Sequence, residues 1–538
     1  MKQSKSDAKA SESMQSLNAR VDRRDLMKMG AGAVLATLGG KAAAAQEGQA
    51  TSTPKRAGGD SNLESVVRAA PGWKNDANRL NGNGPMDETS RYIVSWVHSF
   101  SEAQLTDSIL TSMSSWVVDT LAAWISGFET EQARIGARLG RMMQSEMKST
   151  ILGYGIVTAP HIAGMTNAVM TRHKDFNDMQ PASHGSVNVP GIISVGEALH
   201  SSGIQVLAAM AIAMEVITAM QGAIRGEGDV ATHFDNLYNG VASALAAGKL
   251  MGFDEDKLAN ALSMALVPHI PLSSSHVGHL SHYKSMHQAI AVHDGIWAAM
   301  MAREGMTGPC APFESRNGLF DSVTGPYKNF RLPFRPNTLA VTESVTKRFP
   351  SDGDHQALLS TGIPAVRQKV KAEDIAAIDF EVNWGHWQEN ADPPKWDPHN
   401  SETADHSMPY CMAVALISGD VYLDDYKPKR YLEDKQVREL MDKITTRGNS
   451  KFGFHQTHIT VTKKNGEVFT VDTNDYKNPT PEERIAKFKR VCAYMSIGDE
   501  QRDKALATWQ SLQNVHDVGE AVKTLAHFGK PRPLDEKA

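Results

Sequence analysis

The residue pattern changes near Pro336, and this change constrains the fold more than any other feature of the chain. Before it, from about residue 87, apolar residues recur at the spacing of helices that bury one face. After it, apolar and polar residues alternate in 375–384, 457–463 and 467–473, which is typical of half-buried strands. The sequence therefore predicts a mostly α protein, in which a large all-α helical domain is interrupted by a smaller α+β domain.

The same patterns set the predicted domain boundaries. We predict the helical domain over 87–335, the α+β domain over 336–480 with a helix near 406–419 at the domain junction, and C-terminal helices over 481–530 that return to the helical domain. Asn465-Gly466 predicts a hairpin turn between the last two strands. Residues 46–86 are rich in small and polar residues, so we predict a disordered linker there.

Residues 1–45 resemble an export signal. The pair Arg23-Arg24 precedes a mildly apolar stretch, and an alanine run ends at Ala45. This order predicts a twin-arginine signal peptide that is removed near Ala45, export by the twin-arginine machinery and a periplasmic location. The alternative is a disordered basic tail with a chance Arg-Arg pair.

Composition argues against several classes of function. The 538 residues carry a formal net charge of -5, which does not indicate a nucleic-acid partner. The three cysteines Cys310, Cys411 and Cys492 lie far apart, so neither a zinc site nor an iron–sulfur cluster is predicted. We expect no cofactor and no metal. We also expect no membrane span, because the closest apolar run, 206–214, is short and is followed by Glu215.

Several titratable side chains lie at the start of an Ala-rich apolar segment, in Glu402-Thr-Ala-Asp-His-Ser-Met-Pro-Tyr410. Pro409 suits the first turn of a helix, and the apolar residues that follow should be buried. A well-capped core helix would explain Pro409, but it does not require His406 and Tyr410 together. We take His406 as a candidate substrate ligand and Tyr410 as a candidate acid or hydrogen-bond donor.

A second cluster consists of Asp175-Phe-Asn-Asp178 and the nearby His184. Two carboxylates near a histidine can hold its tautomer and tune its pKa for proton transfer. His184 is therefore our candidate general base, with Asp175 and Asp178 in support. The alternative is a polar loop between helices.

Further candidates come from one lysine and two histidines. Lys284 and His287 lie three residues apart, so at a helix start they share a face, and an ammonium beside a helix N-terminus suits a carboxylate ligand. The alternative for Lys284 is a solvated surface lysine. His233 precedes an Ala-rich helix and is either a catalytic residue or a surface cap.

Taken in order, these segments and Lys347-Arg-Phe-Pro350 resemble the MmgE/PrpD family, which includes 2-methylcitrate dehydratases, cis-aconitate decarboxylases and an epimerase. The resemblance runs from about residue 92 to about 525. It implies a large helical domain with a smaller lid-like domain, usually as a homodimer. It also implies that Lys284 binds substrate and that Lys347 reaches into the cleft from the lid. Met179 and Gly185 depart from the family pattern.

The resemblance and the residues together predict a cofactor-independent lyase that acts on a small polycarboxylate. Removing a proton next to a carboxylate creates a doubly charged intermediate, which Lys284 and Lys347 could neutralise. Dehydration of a 2-methylcitrate-like hydroxy tricarboxylate is favoured, because the form of the 403–410 motif looks closer to the dehydratases. Decarboxylation of a cis-aconitate-like acid, epimerisation, and an exported polycarboxylate-binding protein without catalysis all remain open.

Overall fold

The computed structural model describes residues 86–181, 184–224 and 237–536. Within these ranges the protein is mostly helical and carries two small sheets. The predicted signal peptide (1–45), all but the last residue of the predicted linker (46–86) and His233 lie outside the described residues.

The first part of the chain is a set of packed helices that begins where the pattern predicted. Asp87 accepts a hydrogen bond from the Ser90 backbone N–H and so caps the first helix. The helices are α1 (Glu88–Ser99), α2 (Asp107–Ser126), α3 (Glu131–Met142), α4 (Pro160–His173), α5 (Asn188–Leu199), α6 (Gly203–Ile224), α7 (Asn239–Leu250), α8 (Glu255–Leu266) and α9 (Tyr283–Arg303). A short antiparallel hairpin, β1 (Ser149–Ile151) and β2 (Ile156–Thr158), was not expected in this half.

The second part holds a four-stranded mixed sheet with helices packed on it. Its strands are β3 (Ile375–Asn383), β4 (Ile444–Asn449), β5 (Thr457–Lys463) and β6 (Val468–Thr473), in the order β4-β3-β5-β6. Strands β3 and β4 are parallel, and the other two pairs are antiparallel. The predicted hairpin between β5 and β6 is confirmed, and Gly466 takes the positive φ of 87° that its turn requires. The helices of this part are α10 (Ile363–Arg367), α11 (Trp384–Asn390), α12 (Ser401–Asp405), α13 (Met408–Ser418), α14 (Pro428–Tyr431) and α15 (Lys435–Met441).

Helix α13 begins and ends at capping residues that its sequence contains. The Ser407 side chain accepts the Tyr410 backbone N–H at 3.1 Å, Pro409 lies in the first turn, and Gly419 ends the helix with a φ of 84°. The predicted helix near 406–419 is therefore confirmed.

Two hydrophobic cores organise the described residues. The first runs through α1–α9 and also takes in Phe488 and Trp509 from the C-terminal helices α16 (Pro481–Tyr494), α17 (Asp499–Gln510) and α18 (Val518–Thr524). The second joins the sheet to α13, with Phe380, Ile459 and Met412 among its members. The chain therefore crosses from the first core to the second and back.

Helix α6 corrects one expectation from the sequence. With 22 residues, it is long and apolar enough to cross a membrane, although 89% of its most apolar stretch is buried inside the protein. It also carries Glu215, whose carboxylate accepts the backbone N–H groups of Phe334 and Ala340. Among the described residues, this helix is a buried core helix that also anchors the segment leading into the second part of the chain.

Candidate active site

A buried carboxylate, that of Asp175, lies at the centre of the candidate site. It follows α4 with a φ of 49°, a left-handed conformation that aspartate tolerates better than most residues. Four positively charged or titratable groups contact its two oxygens: Arg172 Nη1 at 2.5 Å, Lys284 Nζ at 3.0 Å, Lys347 Nζ at 2.5 Å and His406 Nε2 at 3.0 Å. We call these five residues the Asp175 cluster.

The electrostatics of the cluster favour its charged form. Burial alone would raise the pKa of Asp175, but the neighbouring cations outweigh it and hold the pKa well below its usual range. Burial and Lys284 lower the pKa of His406, whereas the carboxylates of Asp175 and Asp405 raise it, and the net shift is upward. His406 Nδ1 lies 2.5 Å from Asp405 Oδ1. Each ring nitrogen of His406 therefore faces a carboxylate oxygen, an arrangement that suits the protonated ring, in which both nitrogens donate.

Four segments that are distant in sequence build this cluster. Lys284 is the second residue of α9, His406 lies between α12 and α13, and Lys347 lies on the segment that enters the second part of the chain. That segment pairs with the Asp175 loop, because Met179 N donates to the Val345 carbonyl at 2.9 Å and Val345 N donates to the Gln180 carbonyl at 3.0 Å. The backbone pairing brings Lys347 to Asp175.

His184 occupies a neighbouring position on the same loop. Its Nδ1 lies 2.7 Å from the backbone carbonyl oxygen of Asp178. A carbonyl can only accept, so this contact places the proton on Nδ1 and leaves the lone pair of the neutral ring on Nε2. That is the tautomer a general base needs.

The carboxylates of Asp178 and Asp175 each have partners other than those the sequence suggested. The Asp178 carboxylate accepts from Trp116 Nε1 at 3.0 Å and Ser186 Oγ at 2.5 Å, and burial raises its pKa to about 6. The backbone carbonyl of Asp178 contacts His184, and the Asp175 carboxylate is engaged by the cations of the cluster. The sequence could not show these partners, because the cations that contact Asp175 come from segments distant in sequence.

A row of histidines extends the site away from Asp175. The His276 ring lies 5.9 Å from the His406 ring and 5.6 Å from that of His287. His287 is buried one turn after Lys284 on the same face of α9, as the spacing predicted. His276 was not among the candidate residues taken from the sequence. The crowding of histidines around Lys284 was the available signal.

Three acidic or basic members of the site were also not predicted. Arg172 contacts Asp175, and Asp405 contacts His406. Asp352 Oδ2 lies 3.5 Å from His406 Nε2. Arg172 stands three residues before Asp175, and Asp405 directly precedes His406, so both were visible in the motifs. No local pattern points to Asp352.

Three of these groups could also be read as metal ligands. Ligand atoms of Asp175, Asp352 and His406 lie within 4.8 Å of one another. However, the ammonium groups of Lys284 and Lys347 already contact Asp175, and they would repel a divalent cation at this distance. The set is better suited to an anionic ligand.

Tyr410 lies elsewhere. It is buried in the second core, and its hydroxyl donates to the Asp425 carbonyl. Within the described residues, no hydrogen bond joins this phenol to the Asp175 cluster. The structure brings Asp175, Lys284, Lys347 and His406 together but does not bring Tyr410 to them.

The two departures from the family pattern have packing explanations. Gly185 lies against Met214, where an added Cβ would meet the sulfur at 2.6 Å. Met179 is buried and packs with Val345 and Ala357 beside the segment that carries Lys347. Both positions are therefore compatible with an intact site.

Comparison with known proteins identifies the family. Residues 91–331 match the MmgE/PrpD N-terminal domain, and residues 361–511 match the MmgE/PrpD C-terminal domain. The chain is 24% identical over 453 residues to human cis-aconitate decarboxylase, covering 78% of this chain and 91% of that protein. It is 22% identical over 448 residues to the Aspergillus terreus cis-aconitate decarboxylase, covering 77% and 91%.

A second group of relatives matches a shorter part of the chain. The 2-methylcitrate dehydratase of Salmonella typhi is 25% identical over 304 residues, which cover 53% of this chain and 62% of that protein. This chain belongs to the MmgE/PrpD family.

Proposed function

We propose that this protein is a cofactor-independent lyase that acts on a small polycarboxylate, with dehydration of a 2-methylcitrate-like acid as the leading reaction. The observation that supports it is the Asp175 cluster, in which a guanidinium, two ammonium groups and a protonated histidine converge on one buried point. Preorganised cations of this kind stabilise negative charge that develops during a reaction. The relatives named as dehydratases and decarboxylases support the same class of chemistry.

Substrate binding would use the two lysines. Lys284 and Lys347 each place an ammonium on Asp175, and a substrate carboxylate would share or take over these contacts. Charge-assisted hydrogen bonds of this kind are each worth roughly 1.5–3 kcal/mol.

Proton removal would fall to His184. Its Nε2 lone pair would accept the proton next to a substrate carboxylate, and the electron pair of the broken C–H bond would move into that carboxylate. Lys284 and Lys347 would then stabilise the doubly charged intermediate. The intermediate collapses to the alkene as the β-hydroxyl leaves.

We assign the proton donor to His406 in place of Tyr410. The leaving hydroxyl needs one proton to depart as water, and His406 can supply it, because both of its ring nitrogens face carboxylate oxygens, which accept hydrogen bonds. Tyr410, in contrast, donates its hydroxyl to a backbone carbonyl in the second core. Release of the proton from His184 to solvent and uptake of one proton by His406 restore both groups and close the cycle.

Decarboxylation is the second candidate, and the comparisons give it specific support. The human and Aspergillus terreus cis-aconitate decarboxylases match 78% and 77% of this chain, whereas the Salmonella dehydratase matches 53%. Loss of CO₂ leaves the same kind of carbanion for the lysines to stabilise, and an acid such as His406 would then protonate carbon.

One experiment separates these reactions. The purified protein is incubated in D₂O with 2-methylcitrate, citrate and cis-aconitate, and the products are followed by ¹³C and ¹H NMR. New alkene signals from 2-methylcitrate or citrate without CO₂ release indicate dehydration, CO₂ release indicates decarboxylation, and deuterium incorporation with changed stereochemistry indicates epimerisation. Tight binding of these acids with none of the three would favour the exported binding protein over the enzyme.

We further propose that the second part of the chain acts as a lid. Every member of the Asp175 cluster is buried, so a substrate must gain access by a movement that separates His406, on the second part of the chain, from Lys284. Excluding water again would strengthen each charge contact. Small-angle scattering with and without citrate tests this, since closure requires a smaller radius of gyration with ligand.

Two proposals concern the protein as a whole. A homodimer is proposed from the family resemblance, and light scattering should return twice the mass of the mature chain. Export by the twin-arginine route is proposed from Arg23-Arg24, and an Arg23→Lys, Arg24→Lys variant should stay unprocessed inside the cell. Normal processing of that variant would disprove the signal assignment.

A further inference from the structure

Lys487, on helix α16, connects the two segments that form the Asp175–Lys347 ion pair. Its ammonium donates to the Phe176 carbonyl at 2.6 Å and to the Lys347 carbonyl at 3.1 Å. Phe176 directly follows Asp175, and Lys347 is the other member of the pair. One side chain from the C-terminal helices therefore donates hydrogen bonds to both segments.

All three N–H groups of this ammonium are used. The third donates to Asp119 Oδ1 at 2.9 Å, and the ammonium also lies 4.0 Å from the centre of the Phe176 ring. Its side chain is only 8% exposed. With a fixed set of partners on every donor, Lys487 has little freedom to move.

Arg484 holds the adjoining part of the same segment. It lies one turn earlier on α16, and its Nε donates to Thr346 Oγ1 at 3.0 Å. Its Nη2 donates to the Asn478 side chain at 3.1 Å, and Asn478 in turn accepts the Thr346 backbone N–H. The segment that carries Lys347 is therefore fixed to α16 over two consecutive residues, and Lys487 extends that attachment to the Asp175 loop beside the backbone pairing of the two segments.

We infer that Lys487 is a positioning residue that sets the placement of the Lys347 ammonium relative to Asp175. This inference rests on the proposed function, in which Lys347 stabilises the intermediate. Loss of the Lys487 ammonium leaves two backbone carbonyls without their donor and lets the segments shift. A displacement of about 1 Å in a catalytic group can cost about 100-fold in rate.

A cavity beside Lys487 permits a sharp test. It has a volume of about 260 Å³ and is lined by Phe176, Tyr422, Arg490 and Lys487, among others. A small primary ammonium ion can therefore reach the position that the Lys487 side chain leaves in a Lys487→Ala variant. Ethylammonium can donate hydrogen bonds to the two carbonyls, whereas tetramethylammonium carries the same charge and cannot donate.

The experiment compares Lys487→Ala with Lys489→Ala, which removes an exposed lysine from the same helix. We expect kcat of Lys487→Ala to fall about tenfold or more with KM changed less than about threefold, and ethylammonium but not tetramethylammonium to restore it. Lys487→Arg should be intermediate, because it keeps charge and donors. Unchanged kcat in Lys487→Ala, an equal loss in Lys489→Ala, or equal rescue by both ions would overturn the inference.

A second measurement does not depend on turnover. Hydrogen–deuterium exchange should become faster in 175–180 and 345–352 of Lys487→Ala, slow again with ethylammonium, and stay unchanged in 457–473. If wild-type protein turns over none of the acids, the proposed function fails and this measurement decides the positioning role alone. If Lys487→Ala does not fold, the same exchange in Lys487→Arg decides, and exchange equal to wild type in those segments would contradict the inference.

Discussion

Replacing Asp175 by asparagine tests the central feature of the site. The substitution keeps the size of the side chain and removes the one charge that Arg172, Lys284, Lys347 and His406 share. Removing one partner of a buried ion pair typically costs about 3–5 kcal/mol, because the remaining charge is left uncompensated. Here several cations lose their partner at once, so we expect a loss of about 5 kcal/mol at pH 7.5.

The assay is urea unfolding followed by circular dichroism, with Asp535→Asn as the matched control. Asp535 lies 2.7 Å from Arg141, but its side chain is 87% exposed, and exposed pairs contribute about 0–1 kcal/mol. Coincident transitions by fluorescence would justify a two-state treatment. A loss for Asp175→Asn no larger than that for Asp535→Asn would refute the reasoning.

The pH dependence of this difference has a definite sign. Because the folded-state pKa of Asp175 is lowered, its carboxylate contributes stability above the unfolded pKa of about 4. That contribution is lost only as the pH falls through the lower folded value. The stability gap between wild type and Asp175→Asn should therefore persist from neutral pH down to about pH 4 and shrink below it. A gap that closes between pH 7 and pH 5 would point to a histidine instead.

The remaining predictions concern charge, pH and metal. Lys284→Met and Lys347→Met should each lower kcat/KM by about 10- to 150-fold, since each removes a contact worth roughly 1.5–3 kcal/mol, and wild-type kinetics would exclude the proposed carboxylate site. Burial raises the pKa of Glu215 from 4.5 to about 7, so stability should decline by about 3 kcal/mol as the pH rises across that interval. Urea unfolding at a series of pH values should show this pH dependence of the free energy of unfolding in the wild type but not in Glu215→Gln. Exhaustive chelation should leave activity unchanged, and loss of activity together with a stoichiometric metal in the untreated protein would contradict this.

The parts of the fold that could be predicted are those set by local pattern. Strand β5 has the predicted limits, and the turn at Gly466 has the predicted conformation. Helix α13 is capped by Ser407 and ended by Gly419, as its sequence indicated. The β1–β2 hairpin was missed because strands of three residues are too short for an alternation to be recognised.

The site was harder to predict than the fold, because its contacts join distant segments. The sequence identified Asp175, Lys284, Lys347 and His406 one by one, but it could not show that they share one carboxylate. It paired Asp175 with His184 because the two are close in sequence. Tyr410 was placed at the site because it belongs to the His406 motif, yet its helical position turns the phenol toward the second core.

The charges around Asp175 further predict that protons are taken up when a substrate binds. Three acids, Asp175, Asp352 and Asp405, already offset three of the four positive charges of Arg172, Lys284, Lys347 and protonated His406. A tricarboxylate would bring three more negative charges into a buried space, where uncompensated charge is costly and carboxyl groups protonate instead. Calorimetric titration of citrate at pH 7 in buffers of different ionisation enthalpy should therefore show proton uptake on binding. Binding with no dependence on the buffer would mean that the tricarboxylate does not enter the Asp175 cluster, and the assignment of this cluster as the substrate site would be wrong.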